Sequence, residues 1–282
     1  ALGSGAQASV EDEMKSAGTN LVYVSAGNYV RGGDDIKVAS GLGSAKTLVP
    51  ADVDAIRSQV RGIKFISPGV GDRAPMTAAD KRYFGRVVGV SAEFGAMHSW
   101  TIRRGGAMFG PPAVSQRAKV AVLGTNAAAA LFGQAEPIGQ SFTIRNEAFT
   151  VVAVTESKVE DQPDSVFVPV TTLQQMRGLT NLETVTVAAE QAGEASRIAS
   201  DISTVLRARH HLAAGVPDDF TVRTEAAKAL TRGLYTSAAV FVLANLPQLD
   251  QITLEEMTGT LQQTSNTLTM LLASIAAISL VV

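Results

Sequence analysis

Three histidines, His98, His210 and His211, are the only side chains here with an ordinary pKa near neutrality. Two of them end the run "RARHH", which holds Arg207, Arg209, His210 and His211. Such a cluster would suit an anion, a lipid headgroup or a partner protein. It would equally suit the C-terminus of a helix, where cations meet the last carbonyls for about 0.3–1 kcal/mol each. The second use is the expectation. Adjacent histidines point apart on a helix and make a poor metal pair. His98 sits beside Trp100 in a surface or packing segment.

The acidic pairs Asp34-Asp35 and Asp218-Asp219 lack the spaced oxygen ligands of a calcium loop. Asp218-Asp219 is expected to shape the turn before "FTVR", and "ESKVEDQPDS" to be a solvated loop. With no cysteine, disulfides, thiolate metal sites and a cysteine nucleophile are excluded. No Gly-Lys-Ser/Thr loop, GxSxG or HExxH occurs, and "GLG" at 41–43 is a lone glycine pair in a loop. These residues do not form the mutual roles that a catalytic site needs. No catalytic, cofactor-binding or metal residue is therefore assigned, and no cofactor is expected. A formal net charge of -2 gives no reason to expect a nucleic-acid partner.

The elements that would position these residues follow from periodicity. "NLVYVSAG" reads as a strand, and "TLVPADVDAIRSQV" as a helix with Pro50 near its start and Val53, Ile56 and Val60 on one side. "IKFISPGV" is a second strand, stopped at Pro68-Gly69. The pattern repeats later: "LETVTVAAE" is a strand, "EASRIASDISTVLRARHH" a helix with a stripe of Ile198, Ile202, Val205 and Leu206, and "DDFTVRTE" a strand. The two βαβ-like units fit one layer of helices on one sheet. "NYVRGGDDIKVASGLGSAK" reads as an exposed loop.

Between the units, from about Phe84 to Leu173, short strands and turns dominate: "FGRVVGVS", "AKVAVLG", "QSFTIRN", "AFTVVAVTESK" and "SVFVPVT". "RNEAF" is a hairpin candidate. "TNAAAALFG" is a short helix that Gly133 would cap. The fold class is α+β: an α/β subdomain of two βαβ-like units with an inserted, mostly β subdomain, flanked by stalk helices.

Both ends read as cut. Leu2, Ala6, Val10 and Met14 recur every four residues, a helical stripe. "LTMLLASIAAISLVV", 268–282, carries no charge, Gly or Pro. It reads as the start of a transmembrane helix, the other possibility being a buried C-terminal helix. Leu254, Met257, Leu261, Thr264, Leu268, Leu271, Ile275, Ile278 and Val282 keep an a/d spacing through it. The flanks are short of basic residues: Arg232 is the last and Lys15 the first. That places the interior on the non-cytoplasmic side if both ends meet a membrane. "SAAVFVLANLPQL", 237–249, is too short to span, so it packs against its own domain or a partner.

The stretches "GSGAQASVEDEMKSAGTNLVYVSAG", "TLVPADVDAI", "ISPGV", "VVGVSAEF", "KVAVLGTNAAAALFG", "EPIGQSFTIRNEAFTVVAVTESK", "VFVPVTTLQ", "LRARHH", "DDFTVRT" and "SNTLTMLLASIAAISLVV" run along nearly the whole chain. In that order they resemble the extracytoplasmic core domain of MacB-like ABC transporter permeases, which include macrolide exporters and lipoprotein-release permeases. The resemblance implies a periplasmic domain between two transmembrane helices of an inner-membrane permease, with a porter-like portion and an inserted β portion. It divides the chain into an N-terminal stalk helix (1–18), a first porter-like segment (19–83), the insert (84–180), a second porter-like segment (181–225), a stalk or linker (226–267) and the start of a membrane helix (268–282). It further implies a homodimer with a second permease copy and an ABC ATPase domain, fused or separate. A periplasmic adaptor, an outer-membrane channel and mechanotransmission of ATP-driven movement complete the implied assembly. Two departures stand out: the segment 228–259 is longer than the family pattern, and Val159 replaces its glycine. The competing expectation is a membrane-anchored extracytoplasmic enzyme, or a regulator of a cell-envelope hydrolase, working through His210 or His211.

Overall fold

The computed structural model describes residues 20–28, 45–158, 162–191, 193–225 and 227. The expected stalk helices, the "GLG" and Asp34-Asp35 loop, Val159, the 237–249 segment and the membrane helix lie outside them.

Four strand segments build the first half of the compact unit Asn20–Arg223. They are β1 (Leu21–Ala26), the opening stretch of β2 (Ile63–Ala78), β8 (Thr184–Ala189) and β9 (Phe220–Thr224), in the order β2-β8-β1-β9. β8 runs antiparallel to both neighbours, and Val187 lies opposite Val22 on one side and Ile66 on the other. Directly opposed residues share a face, so this valine-rich row meets the helices as a block. The helices are α1 (Pro50–Gln59) and α6 (Ala195–Arg209), which pack on each other and on the sheet. The predicted stripe is the buried face of α6: Ile198, Ile202 and Leu206 are each 0% exposed. Burying each such side chain contributes about 1.5–3 kcal/mol. Two strand–helix–strand units interleave in one sheet under a single helix layer, a split βαβ arrangement. The expected α+β class and βαβ-like units are present.

One expected boundary is corrected. β2 does not stop at Pro68-Gly69 but runs on to Ala78, 16 residues in all from Ile63. At Pro68 its partner is β8, opposite Val185, and pairing with β3 begins only at Val70. β2 is thus an edge strand at Pro68, where a missing N–H is tolerated. Just beyond, Glu183 Oε2 accepts the Gly71 N–H at 2.7 Å. Arg177 donates to Glu183 Oε1 at 2.5 Å and also to the Gly71 carbonyl. This clamp holds the strand where it leaves one sheet for another.

The second half of β2 opens a ring of six strands. It pairs with β3 (Lys81–Val90), then come β7 (Ser165–Pro169), β4 (Val120–Gly124), β6 (Glu147–Thr155) and β5 (Ser141–Ile144), which pairs back to β2. The closure removes free edges. The predicted "RNEAF" hairpin joins β5 to β6 with Ile144 opposite Glu147, and Arg145 takes a φ of 57° in the two-residue turn. The predicted Ala-rich helix is α4 (Thr125–Phe132), ended by Gly133 at φ 62°. α4 touches β2, β3, β4, β6 and β7 and buries Ala127, Ala128 and Leu131. It is a plug, and its small side chains let it approach the strands closely.

α5 (Val170–Arg177) leads from β7 back toward β8 and packs on β2 and β3. Two short helices, α2 (Phe94–Met97) and α3 (Pro111–Ser115), belong to a segment laid over the outside of β3, β7, β4 and β6. Phe94, Trp100 and Phe109 gather there around Phe167, with Trp100 and Phe167 ring centroids 4.6 Å apart. At the barrel rim Tyr83 donates its hydroxyl to the Asp164 carbonyl at 2.7 Å. Burial first, then the Asp164 charge, push its phenol above the ordinary range, with Arg73 acting the other way.

Candidate functional site

The charged run that the sequence singles out forms a site with three elements. α6 ends at Arg209, and the His210 N–H donates to the Leu206 carbonyl at 2.8 Å, so the run closes a helix as expected. α1 begins against it: Pro50 stands in its first turn, and Asp52 accepts the Val49 N–H at 2.8 Å. A carboxylate in that first turn is favoured by the helix dipole. β9 brings Asp218 and Asp219 to the same place, its start tied to β1 by the Gly27 N–H donating to the Asp219 carbonyl at 2.8 Å.

Asp52 is the centre, 1% exposed. Its Oδ1 accepts Arg209 Nε at 2.7 Å, and its Oδ2 lies 3.3 Å from His210 Nε2. The other imidazole nitrogen, Nδ1, is 2.6 Å from Asp219 Oδ1. Ionised carboxylate oxygens only accept, so only an imidazolium serves both neighbours at once. The ring meets Phe220 edge-on, centroids 5.7 Å apart. Arg207 pairs with Asp218 and donates to the carbonyls of Ala213 at 2.8 Å and Val216 at 3.1 Å, closing the loop after α6. His211 is exposed at φ 56°.

What this arrangement does chemically is narrow. Both His210 nitrogens face carboxylates, so neither is open to take a proton from a nucleophile. None of its hydrogen-bond partners is a hydroxyl or thiol. Among the described residues no group of three or more His, Cys, Asp or Glu is placed to hold a metal ion. Three carboxylates, two guanidiniums and an imidazole instead gather here, and Asp52, Arg209, His210 and Asp219 join the start of α1 in one βαβ-like unit to the end of α6 and the approach to β9 in the other. Asp218-Asp219 does shape the turn, as expected, and also pairs with the run.

Sequence reasoning missed Asp52. Its local signal is visible, a carboxylate two residues after a helix-starting proline. Its partners are 157 and 158 residues away, and nothing in the sequence connects them. His98 lies apart from this site, its ring tilted against that of Phe94 with centroids 4.4 Å apart. The expected solvated loop is corrected at Gln162 and Pro163. Gln162 Oε1 accepts Trp100 Nε1 and Ser157 Oγ, both at 2.7 Å. The Pro163 carbonyl accepts the Asn126 and Ala127 N–H groups at the start of α4. Tertiary partners for a helix N-terminus and an indole draw that stretch against the barrel.

The family model described as "MacB-like periplasmic core domain" matches residues 1–205. A "Macrolide export ATP-binding/permease protein MacB" of Bdellovibrio bacteriovorus is 32% identical over 100% of this chain and 39% of its own length. One from Chlorobaculum tepidum is 33% identical over 79% of this chain and 34% of its own length. The chain thus spans between a third and two fifths of these relatives. Its fold is similar to the crystal structure of the periplasmic region of MacB from Actinobacillus actinomycetemcomitans. That match has a TM-score of 0.65 and 17% identity, over 81% of this chain and 99% of that one. The extracellular domain of a noncanonic ABC-type transporter, YknZ, from Gram-positive bacteria gives a TM-score of 0.58 at 14% identity, over 73% and 100%. With the family model covering well over half of its length, this chain belongs to the MacB-like periplasmic core domain family.

Proposed function

We propose that this chain is the extracytoplasmic domain of an ABC transporter permease subunit and that it carries motion rather than chemistry. The single observation behind this reading is the family match over residues 1–205, in relatives named as ATP-binding/permease proteins. The ion cluster supports it. Asp52, Arg209, His210 and Asp219 fasten the two strand–helix–strand units to each other, and a domain that passes movement on must move as one piece. We assign ATP hydrolysis to another domain or subunit of the transporter and propose no catalytic, cofactor or metal residue for this chain. Residues 1–18 and 226–267 act as stalks and 268–282 begin a membrane helix, so the domain stands in the periplasm above the inner membrane. Two copies work as a dimer, docking a periplasmic adaptor and an outer-membrane channel. Export is driven by mechanotransmission from ATP hydrolysis across the membrane.

The test uses the absence of cysteine from this chain, with any cysteine elsewhere in the full-length protein replaced by serine. A single Ser40→Cys substitution in the full-length protein is expected to react with a membrane-impermeant thiol reagent in intact spheroplasts. Protection until lysis would overturn this topology. The enzyme reading would gain ground only if His210→Ala abolished function while the folded protein persisted.

A further inference from the structure

β2 changes neighbours without overlap. Through Gly69 it pairs with β8, and from Val70 onward with β3. Backbone groups of alternate residues point to the same side of a strand. The Gly69 carbonyl accepts the Glu183 N–H at 2.9 Å, and the Pro75 carbonyl accepts the Arg145 N–H at 2.8 Å. Gly71 and Arg73 lie between them on that same side. There, among the described residues, no strand pairs with β2: β8 ends at Gly69 and β5 begins only at Met76. Side chains fill the gap. Glu183 and Arg177 take the N–H and the carbonyl of Gly71, and Arg145 Nη2 reaches the Arg73 carbonyl at 3.4 Å.

The two side chains that meet at Gly71 come from different halves of the molecule. Glu183 is fixed in the four-stranded sheet, its N–H on Gly69 and its carbonyl on the Ala26 N–H at 2.9 Å. Arg177 ends α5, which packs on β2, β3 and β7. Their charged groups are 2.5 Å apart and partly buried, and charge-assisted bonds are the strong ones. A neighbouring strand would be held in place by the fold, but a side chain can turn away. The other side of β2 differs: the β3 ladder is continuous from Val70, and the Ser91 N–H donates to Ser67 Oγ at 3.0 Å. Glycine weakens a strand and marks its bends, and Gly69 and Gly71 both fall at the change of neighbours. One side of β2 is thus built as a pivot and the other as a fastening.

We propose that the Arg177–Glu183 pair is a latch that sets the angle between the four-stranded sheet and the six-stranded ring. Closed, it makes the two halves turn as one body. Open, β2 bends at Gly69–Gly71 and the ring swings about the β2–β3 side. The Lys119–Glu147 pair is equally close at 2.5 Å, but it joins the starts of β4 and β6, both in the ring, and so fixes no angle between halves. The inference does not depend on the transport reading.

The experiment measures electron–electron distances in the full-length protein. Spin labels sit at Ser200→Cys on α6 and Thr150→Cys on β6, both exposed, with any other cysteine replaced by serine. Labelled protein is diluted into unlabelled protein so that pairs within one chain are read. The parent is expected to give one narrow distance distribution. Arg177→Gln and Glu183→Gln are each expected to widen it by about twofold or more, as release of a hinge does. The double variant should go no further than the larger single change, since both remove the same contact. Arg177→Lys keeps the charge and loses the fork; it is expected to widen the distribution in the same direction, and it carries the test if the Gln variants do not fold. Lys119→Gln should leave the distribution as in the parent. An unchanged distribution in the folded Arg177 and Glu183 variants, or the same widening in Lys119→Gln, would overturn the proposal.

Discussion

At the scale of single residues, Asp52 and His210 show how much a side chain's surroundings decide. Asp52 reads in the sequence as one polar position of a helix; in the fold it is a buried acceptor for a backbone N–H, a guanidinium and an imidazole. Removing the imidazole leaves Asp219 without its 2.6 Å partner and Asp52 with two donors. Breaking a buried pair by removing one member costs more than the pair contributes, because the remaining charge is left in a poor solvent. His210→Ala is expected to lower unfolding stability by about 1–3 kcal/mol, measured by urea denaturation of the isolated chain. His211→Ala, on the exposed neighbour, should stay within about 0.5 kcal/mol of the parent. Equal losses would show that the cluster is not what holds this corner. The histidine pair was legible as helix-ending cations, but Asp52, the buried carboxylate that engages His210, was not, because loop closure over more than 150 residues leaves no local trace.

At the scale of elements, local signals did well wherever a segment's own pattern matched the tertiary demand. The helix α4 was visible from its alanines and its closing glycine. Less visible was why Gly124 precedes it. A Cβ there would strike the carbonyl oxygens of Gln162 and Pro163, and the latter accepts the first N–H groups of α4. Backbone must approach backbone at that point, so Gly124→Ala forces the strand–helix junction away from its cap. The expected cost is about 1–3 kcal/mol, and Trp100 fluorescence should shift as its Gln162 partner moves. A Gly124→Ala variant with parental stability and fluorescence would refute the close-approach account. Pro68-Gly69 misled for the converse reason: the pair breaks a strand in most settings, but β2 is singly flanked there, and a strand with one partner accepts a missing donor.

At the scale of the whole molecule, β2 governs. Its opening stretch belongs to the four-stranded sheet with its helix layer and its second half to the six-stranded ring, so neither can lose it without exposing the other. The two halves should therefore unfold together. Ile202→Ala, deep under α6, is expected to cost about 2–5 kcal/mol. It should move the transition of Trp100, the chain's one tryptophan, by as much as the far-UV circular dichroism transition. If the Trp100 transition stayed at the parental midpoint, the halves would be separate folding units. Such coupling suits a domain proposed to pass movement through itself.

The sequence by itself determined what depends on near neighbours: the alternation of strands, the buried stripe of α6, the cap of α4, the Arg145 hairpin, and the α+β class that their order implies. Hydrophobic periodicity and turn chemistry act over a few residues and are written directly in the chain. Only the tertiary structure decided that β2 serves two sheets, that a ring closes around an alanine helix, that Asp52 meets His210, and that Arg177 and Glu183 close on Gly71. Each of those depends on which distant surfaces are brought together, and burial and pairing across such distances are fixed by the packed whole rather than by any local stretch.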